Sequence, residues 1–240
     1  MESFSVTDTG RMRDNNQDSV YCEQNPGSGL SNIFLVADGM GGHKAGDTAS
    51  KICIETVVDA LKNNPKRTVV GSLEYAVREA NQAILEKASK DSKYQGMGTT
   101  LVGMIIEDAV AYIVNIGDSR LYQIRKHIRQ ITTDHSLVEE MVLSGEIEKE
   151  EMRTHPNKNI ITRALGTIDD PKPDLFEVDI SPGDVYLLCS DGLSNMLDDK
   201  EIERIASQAD KPLSEIGQSL VDAANKAGGK DNISVVLIRI

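Results

Sequence analysis

An aspartate at the end of an apolar run, with three glycines close behind it, is the first sign of chemistry in this sequence. The run 33–37 is rich in β-forming residues and ends at Asp38, which Gly39, Gly41 and Gly42 follow. A carboxylate at the mouth of a buried strand needs a partner, a proton or a metal ion. The glycines let the backbone come close to whatever the carboxylate holds. The stretch therefore predicts a metal site that handles phosphate.

Four further aspartates flank other predicted strands, namely Asp18, Asp118, Asp191 and Asp231. Asp191 closes one strand, and Asp118 lies between two. Asp18 and Asp231 instead stand at the starts of strands. In antiparallel sheets the end of one strand lies beside the start of its neighbour, so such acids can meet at one end of the sheets.

The grouping of these acids predicts a divalent cation. Several carboxylates in one pocket repel one another and stay ionised only beside a counter-charge. The donor set is all oxygen, without His or Cys at ligand spacing, which favours Mg²⁺ or Mn²⁺ over zinc. Any one aspartate alone is better explained as a turn former or a helix cap. Asp38, Asp191 and Asp231 together, each beside glycine and an apolar strand, favour the metal site.

These acids must be positioned by many short strands and a few paired helices. We predict strands at 3–7, 19–23, 32–38, 100–107, 109–117, 120–125, 127–132, 175–181, 184–191 and 233–240. We predict helices at 46–64, 72–90, 198–209 and 213–229. Short connections between strands indicate antiparallel hairpins, and paired helices argue against a doubly wound parallel sheet. The predicted class is therefore α+β, with two antiparallel sheets stacked on each other and helices on both outer faces.

The chain length of 240 residues fits one large domain or two small ones, and we expect a single domain that spans 1–240. The segment 135–167 is polar, holds one short amphipathic helix and interrupts the series of strands. Long polar connections of this kind often carry function. We expect the segment to be a mobile flap.

Composition narrows the range of partners and the compartment. The formal net charge of −12 argues against nucleic acid or an anionic membrane as the main partner. Cys22, Cys53 and Cys189 are odd in number and widely spaced, which predicts buried free thiols in a reducing compartment. The first residues lack an apolar core of signal-peptide length, and no apolar run is long enough to span a bilayer. We therefore expect a cytoplasmic protein without membrane insertion.

Eight short motifs resemble, in their order along the chain, those of one enzyme family. They are "GRMRDNNQD", "VADGMGGHKAG", "GMGTTLV", "NIGDSRLY", "TTDHSLV", "IITRALG", "LLCSDGLSNML" and "GGKDNISVVLI". The sequence is similar to the metal-dependent protein serine/threonine phosphatases, protein phosphatase type 2C (PPM), and to their compact bacterial members. The resemblance implies a central antiparallel β-sandwich between two layers of helices, in agreement with the pattern of elements.

The resemblance also implies a core site for two Mn²⁺ or Mg²⁺ ions that Asp38 bridges. Asp191 and Asp231 would complete the coordination of one ion, and the carbonyl of Gly39 would serve the other. Arg13 would bind the phosphate. The implied catalytic set is therefore Arg13 with the three aspartates.

Two further acids receive roles from the same resemblance. Asp18 would hold metal-bound water from the second shell of ligands. Bacterial members carry a third, weaker metal site, which maps onto Asp118 together with Asp191. Asn232 would support Asp231 by hydrogen bonding.

One departure from the family pattern concerns the general acid. Many eukaryotic members have His directly after the Asp-Gly pair, where this chain has Met40. We expect metal-bound water to donate the proton instead, and an ordinary turn or helix-start role for His43. His127, His135 and His155 are expected to be structural or solvated.

The prediction is Mn²⁺/Mg²⁺-dependent hydrolysis of phosphoserine and phosphothreonine in proteins, by direct attack of a metal-bridging hydroxide. The expected substrates are phosphorylated proteins, including a bacterial Ser/Thr protein kinase that the enzyme opposes, and the expected state is a monomer. Two alternatives remain. One is a catalytically silent relative that binds phosphoproteins, although such relatives usually lack a metal-ligating acid. The other is a phosphatase of the same scaffold dedicated to one regulatory protein.

Overall fold

The computed structural model describes residues 1–24, 32–42 and 45–240. His43, for which a turn or helix-start role was predicted, lies outside the described residues. Within the described ranges, no helix combines the length and the apolar character needed to cross a membrane.

The described residues form eleven β-strands and six α-helices. The strands are β1 (Glu2–Asp8), β2 (Asp18–Glu23), β3 (Ile33–Met40), β4 (Gly98–Thr99), β5 (Leu101–Glu107), β6 (Val110–Ile116), β7 (Arg120–Ile124), β8 (Ile128–Gln130), β9 (Asp174–Asp179), β10 (Val185–Cys189) and β11 (Ile233–Arg239). The helices are α1 (Ala45–Asn63), α2 (Val69–Lys90), α3 (Leu137–Leu143), α4 (Asp191–Ser194), α5 (Asp199–Ala206) and α6 (Leu213–Lys226), with short 3-10 helices at Ser92–Tyr94 and Lys149–Thr154. Every predicted strand and helix is present, with ends shifted by a few residues.

The strands form two antiparallel sheets stacked face to face. Sheet I has the order β1-β11-β10-β7-β8, and sheet II has the order β2-β3-β5-β6-β9 with β4 paired to β3. Helices α1 and α2 pack on the outer face of sheet II, and α4, α5 and α6 pack on the outer face of sheet I. A third apolar cluster fills the space between the sheets. The predicted α+β class and its four layers are confirmed.

Alternation along each central strand explains this layering. In β3, Ile33 and Leu35 pack against α1 and α2, whereas Phe34 and Val36 lie between the sheets. Successive side chains of a strand point to opposite faces, so a strand covered on both sides is apolar at every position. Burying each of these side chains contributes about 1.5–3 kcal/mol. Charged residues are therefore restricted to the places where strands emerge from the core.

Two element boundaries near the predicted site differ from the sequence prediction. Strand β10 ends at Cys189, and Asp191 begins helix α4, where its carbonyl accepts a hydrogen bond from the N–H of Asn195 at 2.7 Å. Strand β3 continues past Asp38 to Met40 because the short strand β4 pairs with its end. The apolar pattern does not report either change, since both depend on distant segments.

The 135–167 segment leaves and rejoins the sheets at the same end. The N–H of His135 donates to the carbonyl of Gly117 at 2.9 Å, and the N–H of Leu165 donates to the carbonyl of Thr99 at 2.9 Å. Between these points the segment contains α3 and the second 3-10 helix, where a single short helix was predicted. Both of its ends are thus attached close to the predicted site.

Candidate active site

The pairing of β2 with β3 places two of the predicted site residues opposite each other. Asp18 and Asp38 are cross-strand partners in this antiparallel register. Residues directly opposite on such strands have Cβ atoms about 4.5–5.5 Å apart. The Oγ of Ser190 donates to Oδ2 of Asp18 at 2.7 Å, which connects β2 to the residue before α4.

The start of α4 packs directly on the residues that precede β11. A Cβ atom added to Gly192 would lie only 1.9 Å from the carbonyl oxygen of Asn232, so any other residue would force these segments apart. The close approach brings Asp191 and Asp231 to the same end of sheet I. Their proximity is also electrostatic, because the charge of Asp231 acts on Asp191.

Gly39 lies where β3 meets β2 and the start of α1. A Cβ atom at this position would lie 2.0 Å from the carbonyl oxygen of Gly46 and 2.6 Å from that of Gln17. The N–H of Gly39 donates to the same Gln17 carbonyl at 3.1 Å. Only glycine allows these three segments to meet next to Asp38.

Asp118 is positioned by the turn between β6 and β7. Gly117 has a φ of 111°, a conformation that favours glycine. Its N–H donates to Nδ1 of His135 at 3.1 Å, so the imidazole holds the turn in place. His135 therefore has a structural role, and Asp118 is 7% exposed.

Burial and mutual repulsion raise the pKa values of the acids. Loss of hydration raises the pKa of Asp18 to about 7 and that of Asp191 to about 6, and the charge of Asp231 adds to both shifts. For Asp38 and Asp118 the pKa is raised well above the usual range, first by burial and then by the charges of nearby acids. A bound cation would offset both causes by supplying the opposite charge.

Three acids keep one buried carboxylate oxygen without a hydrogen-bond partner among the described residues. These atoms are Oδ1 of Asp18, of Asp118 and of Asp191. Leaving such an oxygen unpaired is costly, and oxygen donors of this type are the ligands that Mg²⁺ and Mn²⁺ prefer. The chemistry of the donor set therefore fits a divalent cation.

The ligand cage is not closed. Within residues 1–24, 32–42 and 45–240, no three His, Cys, Asp or Glu side chains are already arranged as a metal site. One reason is visible at Asp231, whose Oδ2 accepts a hydrogen bond from Nη2 of Arg13 at 2.7 Å. Carboxylates would have to turn toward an ion to complete its coordination.

Arg13 and Asp231 meet in a cleft of about 380 Å³. The Asp231 carboxylate raises the pKa of Arg13, and the Arg13 side chain is 52% exposed, so it is accessible to a ligand. The residues that line the cleft are Arg13, Gln17, Asp38, Gly39, Met40, Lys158, Asn159, Ile161, Asp191, Gly192, Asn195, Met196, Lys230, Asp231 and Asn232.

The two remaining predicted acids do not line this cleft. Asp18 is buried behind it. Asp118 lines a smaller adjoining cavity, and Asp191 lines both spaces. The structure thus gathers most of the predicted residues in one cleft and places Asp118 next to it.

Asn232 hydrogen-bonds Asp231 through its backbone and other segments through its side chain. Its side chain accepts from the N–H of Gln17 at 2.8 Å and donates to the carbonyls of Thr9 and Asn15 at 2.9 and 3.0 Å. Only its backbone N–H reaches Oδ1 of Asp231, at 2.9 Å. Asn232 therefore fixes the loop that carries Arg13.

Sequence reasoning missed three residues that hold the acids. Ser190 binds Asp18, Nδ2 of Asn195 donates to Oδ2 of Asp191 at 2.9 Å, and Oγ1 of Thr100 accepts from the N–H of Asp38 at 3.0 Å. Asn195 stands four residues after Asp191, the spacing of neighbours on a helix, so a prediction of α4 would have found it. Nothing local in the sequence connects Ser190 or Thr100 to its partner.

The comparisons with known proteins agree with this geometry. A family model described as protein phosphatase 2C matches residues 10–237. The chain belongs to the protein phosphatase 2C family. It is 41% identical over 237 residues to the serine/threonine phosphatase stp of Listeria monocytogenes, covering 97% of this chain and 93% of that protein.

Solved structures of family members share the fold over the full chain. The serine/threonine phosphatase Stp1 from Staphylococcus aureus is 35% identical, with a TM-score of 0.93, and the match covers 100% of this chain and 94% of that chain. The catalytic domain of the phosphatase PstP, solved with two manganese ions, is 34% identical with a TM-score of 0.86, and the match covers 98% and 96% of the chains. This 2C-type chain is accordingly a serine/threonine phosphatase.

Proposed function

We propose that this enzyme hydrolyses phosphoserine and phosphothreonine in proteins with the help of Mn²⁺ or Mg²⁺. The observation that supports the proposal most is the cleft that Asp38, Asp191 and Asp231 line together with Arg13. Acids alone would repel a phosphate dianion, and an arginine alone would leave the buried acids uncompensated. A cation between the acids and the phosphate would compensate the buried negative charge and remove the repulsion of the phosphate.

In this proposal, Asp38, Asp191 and Asp231 would hold one cation, and Asp38 with the carbonyl of Gly39 would hold the other. When bound, such cations lower the pKa of water and neutralise charge on the phosphoryl group. The protein contributes rigid placement, because Gly39 lies on a paired strand and Asp191 on a helix packed against β11.

Asp118 and Asp191 would bind a third, weaker cation in the adjoining cavity that both residues line. Asp18 would orient water at the core site through the oxygen that has no partner in the described structure. Its other oxygen is held by Ser190, so the orientation of Asp18 is fixed. A fixed carboxylate positions a water molecule without reorganisation.

Arg13 would bind the phosphoryl oxygens of the substrate. Its planar guanidinium can donate two parallel hydrogen bonds to a phosphate, which a lysine does poorly. Nη2 is engaged by Asp231, and the exposed remainder of the group faces solvent at the cleft. Lys158 and Lys230 also line the cleft and favour an anionic ligand there.

The leaving alkoxide would take its proton from water. Met40 lines the cleft at the position that is His in many eukaryotic relatives, and it has no proton to give. Among the described residues that line the cleft there is no histidine. An open, wet cleft can supply the proton instead.

The substrates would be phosphorylated proteins, including a bacterial Ser/Thr kinase. The enzyme would oppose the action of this kinase. It would act as a monomer. The cysteines Cys22, Cys53 and Cys189 are free thiols in the structure, which supports action in a reducing compartment such as the cytoplasm. The 135–167 segment, attached beside Asp118 and contributing Lys158 to the cleft, would act as a flap over the substrate.

Purified protein should hydrolyse an aryl phosphate and a phosphothreonine peptide with MnCl₂ and stop when EDTA is added. Excess MnCl₂ should restore the activity. Full activity in EDTA would reject the metal-dependent proposal. A protein that binds the phosphopeptide without turnover would instead be the catalytically silent relative.

A further inference from the structure

Arg153, in the 3-10 helix of the 135–167 segment, contacts the end of helix α4. Its Nη1 donates to the carbonyls of Ser194 and Leu197 at 3.0 and 3.2 Å, and its Nη2 donates to the carbonyl of Asn195 at 3.3 Å. Carbonyls at a helix end lack partners within the helix, and a cation is favoured there. One guanidinium thus holds three carbonyls of the turn that follows Asp191.

Asn195 continues this contact into the active site. Its side-chain Nδ2 donates to Oδ2 of Asp191 at 2.9 Å, while its backbone carbonyl accepts from Arg153. Oδ2 of Asp191 is therefore committed, and Oδ1 is the buried atom without a partner in the described chain. Asn195 thus occupies one oxygen of Asp191 and leaves the other available to a ligand.

Asn195 lies between the two spaces of the site, and Arg153 borders one of them. Asn195 lines both the cleft that contains Arg13 and the adjoining cavity that contains Asp118. Arg153 lines the adjoining cavity from the side of the 135–167 segment. No other arginine of the described 135–167 segment donates to the backbone of α4 or its C-terminal turn.

We propose that Arg153 and Asn195 are positioning residues that couple the placement of the 135–167 segment to the orientation of Asp191. When Arg153 is docked on the end of α4, Asn195 holds Asp191 with Oδ1 toward the site, and cations bind tightly. When Arg153 is displaced, the turn loosens and Asp191 binds them weakly. This inference rests on the proposed role of Asp191 as a metal ligand.

We call the coupling of Arg153 to Asp191 through Asn195 the relay. Direct measurement of Mn²⁺ binding tests this relay without relying on turnover. The electron paramagnetic resonance signal of free Mn²⁺ would be followed while MnCl₂ is added to wild type, Arg153→Met, Asn195→Ala and the double variant. Partners that orient a metal ligand are typically worth about 10–100-fold in metal affinity. We expect each single variant to bind Mn²⁺ at least about 10-fold more weakly than wild type.

The double variant separates a relay from two independent effects. If Arg153 acts through Asn195, the double variant should bind Mn²⁺ about as weakly as the weaker single variant. At saturating MnCl₂ the KM of Arg153→Met for a phosphopeptide should return to the wild-type value, because Arg153 does not line the cleft that contains Arg13. If the double variant loses Mn²⁺ affinity by the product of the two single effects, the relay is overturned. A KM that stays raised at saturating MnCl₂ would overturn it as well.

A matched control is Arg239→Met. Nη2 of Arg239 also donates to a backbone carbonyl, that of Lys211 at 3.0 Å, but at a place outside both spaces of the site. It should lose comparable stability in urea and keep wild-type Mn²⁺ affinity. An Arg153→Met protein with wild-type Mn²⁺ affinity would overturn the inference. Wild type that binds no Mn²⁺ would instead reject the proposed function.

Discussion

Asp18 and Asp38 face each other across the β2–β3 pair, and the charge of Asp18 adds to burial in raising the pKa of Asp38. Acids placed directly opposite on neighbouring strands are destabilising unless a counter-charge is present. The fold keeps this arrangement at the point where its two sheets end. The folded scaffold thus holds electrostatic strain that a bound cation would relieve.

Replacement of Asp38 by alanine should have opposite effects on turnover and on metal-free stability. Turnover of an aryl phosphate should fall by about 10³-fold or more, since the proposed bridging ligand is lost. The metal-free protein should unfold at a higher temperature than wild type, because one buried carboxylate with a raised pKa is removed. Calorimetry in EDTA and a Mn²⁺-dependent assay measure the two effects. Asp210→Ala, at an exposed acid away from the site, should change neither.

Replacement of Arg13 by alanine should raise the KM for a phosphothreonine peptide by about 10-fold, the scale of a lost charge-assisted hydrogen bond. The reason is the loss of the guanidinium that lines the cleft. Arg13→Lys should recover only part of the effect, because an ammonium cannot bind two phosphoryl oxygens in parallel. Steady-state kinetics at saturating MnCl₂ measure this, and an unchanged KM would remove Arg13 from phosphate binding.

Replacement of Asp118 by alanine should make activity depend more steeply on the concentration of Mn²⁺. Asp118 shares the adjoining cavity with Asp191, where the weaker cation is proposed to bind. Activity should be strongly reduced at low MnCl₂ and recover in part at high MnCl₂. Full activity of the variant at low MnCl₂ would show that this cavity has no functional cation.

The stability of the protein should depend on pH through His135. Burial lowers the pKa of His135 below its usual value of 6.5, despite the opposing effect of Asp174. The unfolded chain then takes up a proton at this residue at a higher pH than the folded protein, so the contribution of His135 to the free energy of unfolding falls as the pH drops below about 6.5. His135→Gln keeps an acceptor for the N–H of Gly117 and removes the titration. Between about pH 7.5 and pH 5, the free energy of unfolding measured in urea should fall less for the variant than for wild type. Parallel plots of this free energy against pH for the two proteins would contradict the prediction.

Local patterns were sufficient for the fold class and for three acids of the cleft. The apolar runs of β3, β5, β10 and β11 show which segments form the core, and short connections show that the strands are antiparallel. Acids that interrupt such runs can only lie at strand ends, because a charge inside the core is too costly. That is why these patterns predict that Asp38, Asp191 and Asp231 lie together, and in the structure they line one cleft.

The contacts that orient those acids could not be predicted in this way. Asp191 was placed at the end of a strand, whereas it begins a short helix whose turn is held by Arg153. The side chain of Asn232 holds the loop around Gln17, a contact beyond the hydrogen bond to Asp231 that was expected of this residue. Each of these contacts joins segments far apart in the chain, and their geometry follows from the packing of whole layers.

The amino-acid sequence by itself determined which elements form, which faces they bury and which acids are excluded from the core. These properties depend on residue type and period, and both are local. Only the tertiary structure decided that Asp118 lines a separate cavity, that Arg13 is paired with Asp231, and that Asn195 leaves one oxygen of Asp191 available. Those outcomes depend on shifts of a few tenths of an ångström between packed segments, to which hydrogen bonds respond and hydrophobic patterns do not.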